Sequence, residues 1–502
     1  MVEAPATGRL LAGQESLKVL IVDLNNFASF PTLAIGILVA SLRNAGHQVR
    51  LISPLVFDVP AAHREKQETY LDHLKRRIHL TDFQPVLGAR DILRDIRTGF
   101  RERPDGRVLR EVRNALSDKP DVILLSAYLQ HFESVREISA LAHAAGVPVL
   151  VGGPMFNVEN VSDAWSKLKG VVGVVGAEVD MVLPAMVAAV KKGERLDGFS
   201  GVTMPDGSRT AKAPPLRNLD DTPLPDYTDF PWDRYPVRIV PLMAGRGCQW
   251  DKCLFCSDVI STSGRTFRTR SVDNVLLEMQ EQARRHGTSS FLFLDLKLNS
   301  YPDMMRGIAE SIRDYVRGAE WIGTVHVDKR KDNGLSRADL RMAVQGGMRR
   351  ISFGLESGSQ RLLDLMNKGS DVEGNSEFIR NAHDAGLSIR CTMFKGYPGE
   401  TADDMEKTAV FLERHSDYLD RVRFNDFSLL QGTPIYTAVM EKMDHSGLSI
   451  TRAIDAKARA SYRNPLLADP AYRRAKNRVL AAVYAINRRP IRDTARQFDG
   501  LM

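Results

Sequence analysis

Cysteines and long apolar runs are scarce in this chain of 502 residues, which has only four cysteines. The longest clean apolar run, LAIGILVASL at 33–42, is about half of the roughly 20 residues that a membrane-spanning helix needs. The N-terminal stretch MVEAPATGRLLAGQESLK lacks the basic segment and apolar core of a secretory signal. These absences predict a cytoplasmic protein without a membrane span, in which clustered thiols bind metal rather than pair as disulfides.

Common nucleotide-binding motifs are also missing. No G-x-G-x-x-G follows the first predicted strand, and no P-loop is present, so a dinucleotide or nucleoside-triphosphate site is poorly supported.

Positive charge is concentrated near the C-terminus. The formal net charge is +7, and residues 441–502 hold 13 Lys and Arg against 6 Asp and Glu. Such a segment is either a solvated helical face or a surface that meets an anionic substrate, nucleic acid or an acidic partner. Nucleic acid is disfavoured, because no aromatic RNA-binding signature accompanies the charge.

The first part of the chain alternates short apolar runs with helical patterns. KVLIVD, VRLIS, DVILLSA, VPVLVGGP and GVVGVVGAE read as buried strands, and helical segments separate or follow them. This pattern predicts a doubly wound parallel sheet over 14–205, interrupted by a charged helical insertion at 54–120. Ligands of such sheets bind at the carboxyl ends of the strands.

A second series of alternating elements follows a segment rich in Pro and Asp at 206–235, which we interpret as a linker. The strand-like runs begin with RIVPLMA, SFLFLDL and WIGTVHVD and continue with RISFGLES, SIRCTMFKG and RVRFNDFSLL. They predict a partial (β/α)6 TIM-like barrel over 236–440, with its chemistry at the carboxyl ends of the strands. Residues 441–502 are predicted to form a small, basic, helical domain.

Three of the four cysteines, Cys248, Cys253 and Cys256, lie in the loop after the first barrel strand. A structural zinc site normally needs four protein ligands, and Cys391, in a later predicted strand, could supply the fourth, although a (β/α) barrel has its own core and needs no zinc to hold it together. Three thiolates on a [4Fe–4S] cluster leave one iron without a protein ligand, and that iron can bind a substrate or cofactor. We favour the iron–sulfur interpretation over zinc or incidental thiols.

The loop GRGCQWDKCLFCSD, together with the stretches FLDLKLN, GLESGSQRLLDLMNKG, FKGYPGET and LLQGTPIY, resembles the radical S-adenosylmethionine (SAM) superfamily over about 236–440. The N-terminal sheet, with GGP and the turn GAEVD, is similar to the cobalamin-binding domain of one branch of that superfamily. The whole chain therefore resembles the cobalamin-dependent, class B methylase-like radical SAM enzymes. This resemblance implies a [4Fe–4S] cluster, S-adenosylmethionine and cobalamin as cofactors.

Two departures from the family pattern stand out. Four residues, rather than three, separate Cys248 from Cys253. The first-strand loop LNNFASF also lacks Asp-x-His-x-x-Gly, so the usual histidine ligand of cobalt is absent from its place, and we expect no histidine ligand.

The resemblance assigns residues to each cofactor. The cobalamin contacts that it implies are Asn25, Ser126, Tyr128, Gln130, His131, Gly152, Gly153, Gly176 and Glu178. Its S-adenosylmethionine contacts are Phe255, Asp295, Glu356, Ser357, Arg390, Lys395 and Asn425. Our candidates for substrate-facing catalytic residues are His326, Asp328 and Tyr397.

The implied activity is methyl transfer, through methylcobalamin, to an unactivated carbon of a small secondary-metabolite substrate after hydrogen abstraction by a 5′-deoxyadenosyl radical. Two alternatives stay open, a cobalamin-dependent radical cyclase or ring-rearranging enzyme, and a binding protein with a structural metal. Flavodoxin or ferredoxin is the expected kind of reductant. The basic C-terminal segment favours an anionic substrate.

Overall fold

The structure, a computed structural model, describes residues 15–24, 29–59, 67–82, 102–262, 266–443 and 446–501, with scattered positions between 88 and 99. Among these residues no helix is both long enough and apolar enough to cross a membrane.

The N-terminal unit is a six-stranded sheet in the order β2-β1-β3-β4-β5-β6, parallel except for its last strand. Its strands are β1 (Lys18–Asp23), β2 (Gln48–Ile52), β3 (Val122–Ser126), β4 (Val149–Gly152), β5 (Val171–Val175) and β6 (Val202–Thr203). The helices of this unit are α1 (Leu33–Asn44), α2 (Tyr70–His79), α3 (Gly106–Ser117), α4 (Phe132–Ala144), α5 (Glu159–Ser166) and α6 (Leu183–Lys191). Ile21 and Val22 on opposite faces of β1 are both fully buried, which explains why the strands are continuous apolar runs. The predicted doubly wound sheet is confirmed.

The second unit contains six parallel strands in the order β14-β13-β12-β11-β10-β7. They are β7 (Val240–Leu242), β10 (Ser290–Phe293), β11 (Glu320–Val325), β12 (Met348–Glu356), β13 (Ser388–Lys395) and β14 (Arg421–Asp426), while β8 (Gly245–Arg246) and β9 (Arg268–Thr269) form a separate antiparallel ribbon. The helices are α7 (Val272–His286), α8 (Pro302–Tyr315), α9 (Arg337–Gln345), α10 (Gln360–Leu365), α11 (Val372–Ala385), α12 (Ala402–Arg414) and α13 (Pro434–Met440). The strands β14 and β7 are the edges of this sheet, so the predicted partial barrel is confirmed.

The segment between the two units is packed rather than loose. The Tyr227 side chain is fully buried, and its hydroxyl donates to the Pro241 carbonyl at 2.9 Å. A Cβ on Gly36 of α1 would stand 2.5 Å from the Tyr227 ring, so glycine is required there for close packing. The predicted linker therefore fixes α1 against the barrel.

The last sixty residues differ from the helical prediction. β16 (Ser449–Ile454) and β17 (Arg459–Arg463) form a hairpin that pairs with β15 (Leu429–Leu430), and only then does the helix α14 (Pro470–Asn487) follow. Asn487 at its end bonds both backbone groups of Val422, accepting from the N–H at 2.8 Å and donating to the carbonyl at 2.9 Å. This side-chain amide covers part of the edge strand β14 in place of another strand.

A C-terminal plug, residues 493–501, closes the amino end of the barrel. Phe498 and Leu501 are buried against Ile239, Leu292 and Ile322. The buried Arg350 guanidinium donates to the Phe498 carbonyl at 2.9 Å, and Arg421 pairs with Asp499 at 2.7 Å. The interior of the barrel is therefore sealed at one end and open at the other.

Candidate functional site

A cavity of about 850 Å³ lies where the carboxyl ends of the two sheets face each other. The N-terminal unit borders it with the loops after β1, β3, β4 and β5. Met243, Leu294, Leu296 and Arg423 of the barrel also line the cavity, and Leu501 of the plug reaches it. Both units therefore build one shared site, at the strand ends where each fold places its ligands.

The cysteine loop, residues 247–267, of which 263–265 lie outside the described residues, borders this cavity with Gly247, Asp258, Ser261 and Thr262. The ribbon of β8 and β9 holds its two ends together. Burial raises the pKa of the Cys248 and Cys253 thiols, and the Cys248 thiol donates to the Trp250 carbonyl at 3.1 Å. Three thiols in one loop are a suitable donor set for an iron–sulfur cluster. In the described chain, however, no three His, Cys, Asp or Glu side chains form a group that could hold a metal ion, so the ligand role stays a prediction.

Cys391 lies apart, fully buried on β13, where burial raises the pKa of its thiol to about 12. A thiol held protonated in this way is a poor metal ligand, because the thiolate is the ligating form. The structure therefore does not favour Cys391 as a fourth ligand.

Two buried lysines stand beside the thiols. The Lys368 ammonium lies 3.3 Å from the Glu356 carboxylate and 5.7 Å from the centre of the Phe255 ring. Burial opposes its charge, but Glu356, Cys253 and Cys256 raise the pKa of Lys368 overall. Lys297 pairs with Asp328 at 2.5 Å, and burial lowers the pKa of Lys297. Sequence reasoning missed Lys368 because nothing in the segment LMNKG distinguishes it from a surface lysine.

The extra residue of the cysteine loop is accommodated against the loop after α10. Trp250 donates its indole N–H to the Asn367 carbonyl at 2.9 Å. A Cβ on Gly369 would stand 2.4 Å from the Trp250 ring, and Gly369 has a left-handed φ of +70°. Trp250 therefore anchors the four-residue spacing on the loop that follows α10.

Asp295 follows β10 and is buried directly beneath the cysteine loop. Its carboxylate accepts the N–H groups of Ala244 at 3.0 Å and Gly245 at 2.6 Å, and burial raises its pKa to about 6. The side chain thus holds the backbone that enters the loop, and its predicted contact with S-adenosylmethionine stays a prediction.

Glu356 and Ser357 form a strained turn at the end of β12. Glu356 has a left-handed φ of 59°, unusual for a residue with a side chain, and burial raises the pKa of its carboxyl group. Ser357 bonds the Thr408 hydroxyl at 3.1 Å and accepts the Ser359 N–H at 3.0 Å. The turn directs Glu356 toward Lys368 and the thiols, while Ser357 stabilises the turn itself.

The predicted role of Lys395 is not supported by its contacts. Its ammonium lies 2.8 Å from Asp82 of the insertion and 2.9 Å from Asp426, and the side chain is only 1% exposed. Lys395 is therefore the centre of a buried ion-pair network rather than a group available to a ligand. Arg390 donates to the Ser352 hydroxyl at 3.2 Å inside the barrel, and Asn425 is exposed near the end of β14.

The three catalytic candidates are buried, and none of them borders the cavity. The imidazole Nε2 of His326 lies 3.1 Å from the Ser370 hydroxyl, and burial lowers the pKa of His326. Asp328 pairs with Lys297 and with Arg330. Tyr397 packs among aromatic rings, with the Phe427 ring centre 5.2 Å away. The structure therefore does not bring His326 and Asp328 together as a substrate-facing pair.

The cobalamin candidates divide into two groups. Those that line the cavity are Ser126, Tyr128, Gly152, Gly153 and Glu178. Gln130, His131 and Gly176 do not border it, and Asn25 lies outside the described residues. The Nδ1 atom of His131 accepts the Tyr128 N–H at 3.2 Å, and burial lowers the pKa of His131 to about 4. The His131 ring is thus neutral and engaged by its own loop.

The glycines of this region are needed mainly for packing. A Cβ on Gly153 would lie 2.1 Å from the Ala127 carbonyl oxygen, and one on Gly176 would lie 2.4 Å from the Phe156 backbone. A Cβ on Gly152 would have one neighbour, the Val175 carbonyl oxygen at 3.7 Å. Of these three glycines, only Gly152 therefore leaves open space that a ligand could occupy.

Glu178 and Asp180 of the GAEVD turn pair with arginines of the barrel. Glu178 lies 2.7 Å from Arg268, and Asp180 lies 2.6 Å from Arg246. The sequence showed the acidic turn, but its partners are too distant along the chain to be inferred. The turn thus joins the two units.

Comparisons with known proteins agree with the family resemblance seen in the sequence. Residues 242–412 match the profile of the Radical SAM superfamily. An uncharacterised methyltransferase of Pyrococcus horikoshii is 26% identical over 331 residues, covering 63% of this chain and 69% of the relative.

Two solved structures share the fold at 16% identity. OxsB, a cobalamin-dependent S-adenosylmethionine radical enzyme solved with aqua-cobalamin bound, gives a TM-score of 0.65 over 90% of this chain and 65% of its own. The methyltransferase TsrM from Kitasatospora setae, solved with cobalamin and a [4Fe–4S] cluster, gives 0.63 over 93% of this chain and 91% of its own. The chain therefore contains a radical SAM domain and has the overall fold of the radical SAM enzymes OxsB and TsrM, both of which were solved with cobalamin bound.

Proposed function

We propose that this protein is a cobalamin-dependent radical SAM methyltransferase that transfers a methyl group to an unactivated carbon of a small molecule. The observation that carries the proposal is that the doubly wound sheet and the cysteine loop border the same cavity. A corrin at the sheet and a cluster in the loop would then share one space with the substrate. The matched relatives called methyltransferases support the same reaction class.

The residues present fit these cofactors. The cysteine loop would hold the cluster, which with S-adenosylmethionine supplies one-electron chemistry, while cobalamin carries the methyl group. Gly152 leaves open space on the corrin side, and Ser126 and Tyr128 offer hydroxyl groups to it. Leu294 and Leu296 give the barrel side an apolar wall that excludes water from a reactive intermediate.

Two buried charges prepare the cluster side of the site. The positive charge of the Lys368 ammonium stabilises nearby thiolates and so favours deprotonation of the cysteine thiols. Glu356, which lies beside Lys368, is our candidate for binding a polar part of S-adenosylmethionine. We extend the proposal to a flavodoxin- or ferredoxin-like protein as the reductant.

We also propose that the substrate is anionic, but that its anionic group binds at a site other than the basic C-terminal segment. Arg478 of that segment pairs with Glu406 and Glu413 of α12, and Arg489 pairs with Asp417. These arginines therefore serve the outer surface. Arg423 lines the cavity and is the better candidate for meeting an anionic group of the substrate.

The test is anaerobic reconstitution of the full chain with iron, sulfide and hydroxocobalamin, followed by reduction with S-adenosylmethionine. We expect 5′-deoxyadenosine and S-adenosylhomocysteine, and a product that gains one CH₂. The variant Cys253→Ala should lose both nucleoside products, whereas Cys391→Ala, which changes a thiol away from the loop, should keep them.

Each alternative predicts a different outcome. 5′-Deoxyadenosine with an unchanged carbon count in the product would replace methyl transfer by cyclisation or rearrangement. Cobalamin binding without 5′-deoxyadenosine would leave a binding protein with a structural metal.

A further inference from the structure

We propose that two loops of the N-terminal unit form an interdomain clamp that positions the cysteine loop of the barrel. The clamp consists of Pro154, Asn157, Glu178 and Asp180 on one side and Arg246, Ile260, Thr262 and Arg268 on the other. It gives the GAEVD turn a role other than cofactor binding. The inference rests on the proposed function, because it concerns the loop that would hold the cluster.

Two buried arginine–carboxylate pairs form the first half of the clamp. Arg246 donates to both carboxylate oxygens of Asp180, at 2.6 and 3.0 Å. Arg268 donates to both oxygens of Glu178, at 2.7 and 3.1 Å. The four side chains are at most 9% exposed. Bidentate pairs of this kind fix orientation as well as distance.

These two arginines are the two ends of the cysteine loop. Arg246 in β8 comes two residues before Cys248, and Arg268 opposes it in β9. Both ends of the loop are therefore held from the N-terminal unit rather than from the barrel alone.

Two hydrogen bonds from the loop after β4 form the second half. The Asn157 side-chain amide donates to the Ile260 carbonyl at 2.7 Å, and the Pro154 carbonyl accepts the Thr262 N–H at 2.8 Å. These contacts hold the part of the loop that follows Cys256.

The clamp also borders the shared cavity. Pro154, Glu178, Asp180, Arg246 and Thr262 all line it. A molecule that fills the cavity therefore contacts the same residues that hold the cysteine loop. By linkage, binding of a corrin and closure of the cysteine loop favour each other.

Cysteine alkylation in the cluster-free full chain tests this inference. We expect Asp180→Asn to raise the labelling rate of Cys248, Cys253 and Cys256 about 10-fold, the ratio for a change of about 1.4 kcal/mol in the free energy of loop opening. Cys391 reports general unfolding and should stay unlabelled. The matched control is Asp332→Asn, which breaks an exposed pair with Arg306 within the barrel and should leave all rates unchanged.

Hydroxocobalamin supplies the second arm of the experiment. It should slow labelling of the three loop cysteines in the wild-type chain, and this protection should disappear in Asp180→Asn. If Cys391 is also labelled in Asp180→Asn, that variant is partly unfolded. The variant Asn157→Ala, which removes no buried charge, then tests the clamp by the same labelling rates of the loop cysteines.

The inference is overturned if the loop cysteines of the folded variants react at the wild-type rate. In that case cobalamin binding by the wild-type chain would leave the proposed function standing. If instead the wild-type chain binds no cobalamin, the proposed function fails, while the labelling rates without cobalamin still decide on the clamp.

Discussion

The strand ends of the two units around the shared cavity differ in the contacts that shape them. At the carboxyl ends of the barrel strands, charged side chains are buried in pairs, as with Lys368 and Glu356 or Lys395 and Asp82. At the ends of the N-terminal strands, the loops pack through close backbone contacts at Gly153 and Gly176, and the buried carboxylates Glu178 and Asp180 pair with arginines of the barrel. The one imidazole in those loops, His131, is neutral because burial lowers its pKa to about 4.

The difference indicates a division of labour. Buried ion pairs hold charge in fixed positions where it can act on a cluster and a polar cofactor, although burying charge is costly. Close-packed glycine loops make a smooth surface against which a large planar ligand can lie. The barrel thus holds the buried ammonium groups next to the cysteine loop, whereas the N-terminal unit contributes closely packed glycine loops and two carboxylates that pair with the barrel.

The largest effect is expected on the charged side. Lys395→Met should lower the free energy of unfolding by about 3–5 kcal/mol, because it leaves the fully buried Asp82 with one fewer cation. Urea unfolding measures this loss without any cofactor. The matched control, Arg478→Met, removes an exposed cation and should cost about 1 kcal/mol or less. If the two variants lost the same free energy of unfolding, the buried ion pairs would contribute no more to stability than the surface pairs.

A titration tests the neutral state of His131. The unfolded chain takes up a proton near pH 6.5, whereas the folded chain does so only near pH 4, so the stability contributed by this residue is lost as the pH falls from about 6.5 to 4. The loss amounts to about 3 kcal/mol. In His131→Asn the free energy of unfolding should therefore fall less steeply over this range than in the wild type. Parallel pH profiles would show that the pKa of His131 is the same in the folded protein as in the unfolded chain.

Two neighbouring glycines test the shape of the N-terminal wall. Gly153→Ala should destabilise the protein by about 1–3 kcal/mol, because the new methyl group would overlap the Ala127 carbonyl. Thermal unfolding of the cofactor-free chain measures this change.

Gly152→Ala is the matched control. It should have the smallest effect on stability, a change of about 0.5 kcal/mol or less in the free energy of unfolding. Its methyl group projects into open space beside the cavity, so the variant should fold normally but bind hydroxocobalamin more weakly by absorbance titration. If Gly152→Ala instead lost stability and Gly153→Ala folded normally but bound hydroxocobalamin weakly, the close backbone contact would belong to Gly152 rather than Gly153.

The sequence predicted the elements of the fold more completely than the contacts between them. Apolar runs such as VILLS in β3 are read directly as buried strands, because both faces of a parallel sheet are covered. The hairpin at 449–463 was missed because its strands, SITRAI and RASYR, are largely exposed and carry no apolar run.

The site was predictable where its residues share a loop and obscure where they do not. The short spacing of Cys248, Cys253 and Cys256 identifies them in the sequence as a candidate ligand set. Lys395 and Asp82 are 313 residues apart, and no local pattern relates them. Lys395 was therefore assigned to a cofactor when its charge serves a partner elsewhere in the chain.

The C-terminal plug gives the cavity a direction. Because Phe498 and Leu501 seal the amino end of the barrel and Leu501 borders the cavity, a molecule bound in the cavity has no way out through that end. Its exchange with solvent would then depend on the contacts between the barrel and the N-terminal unit.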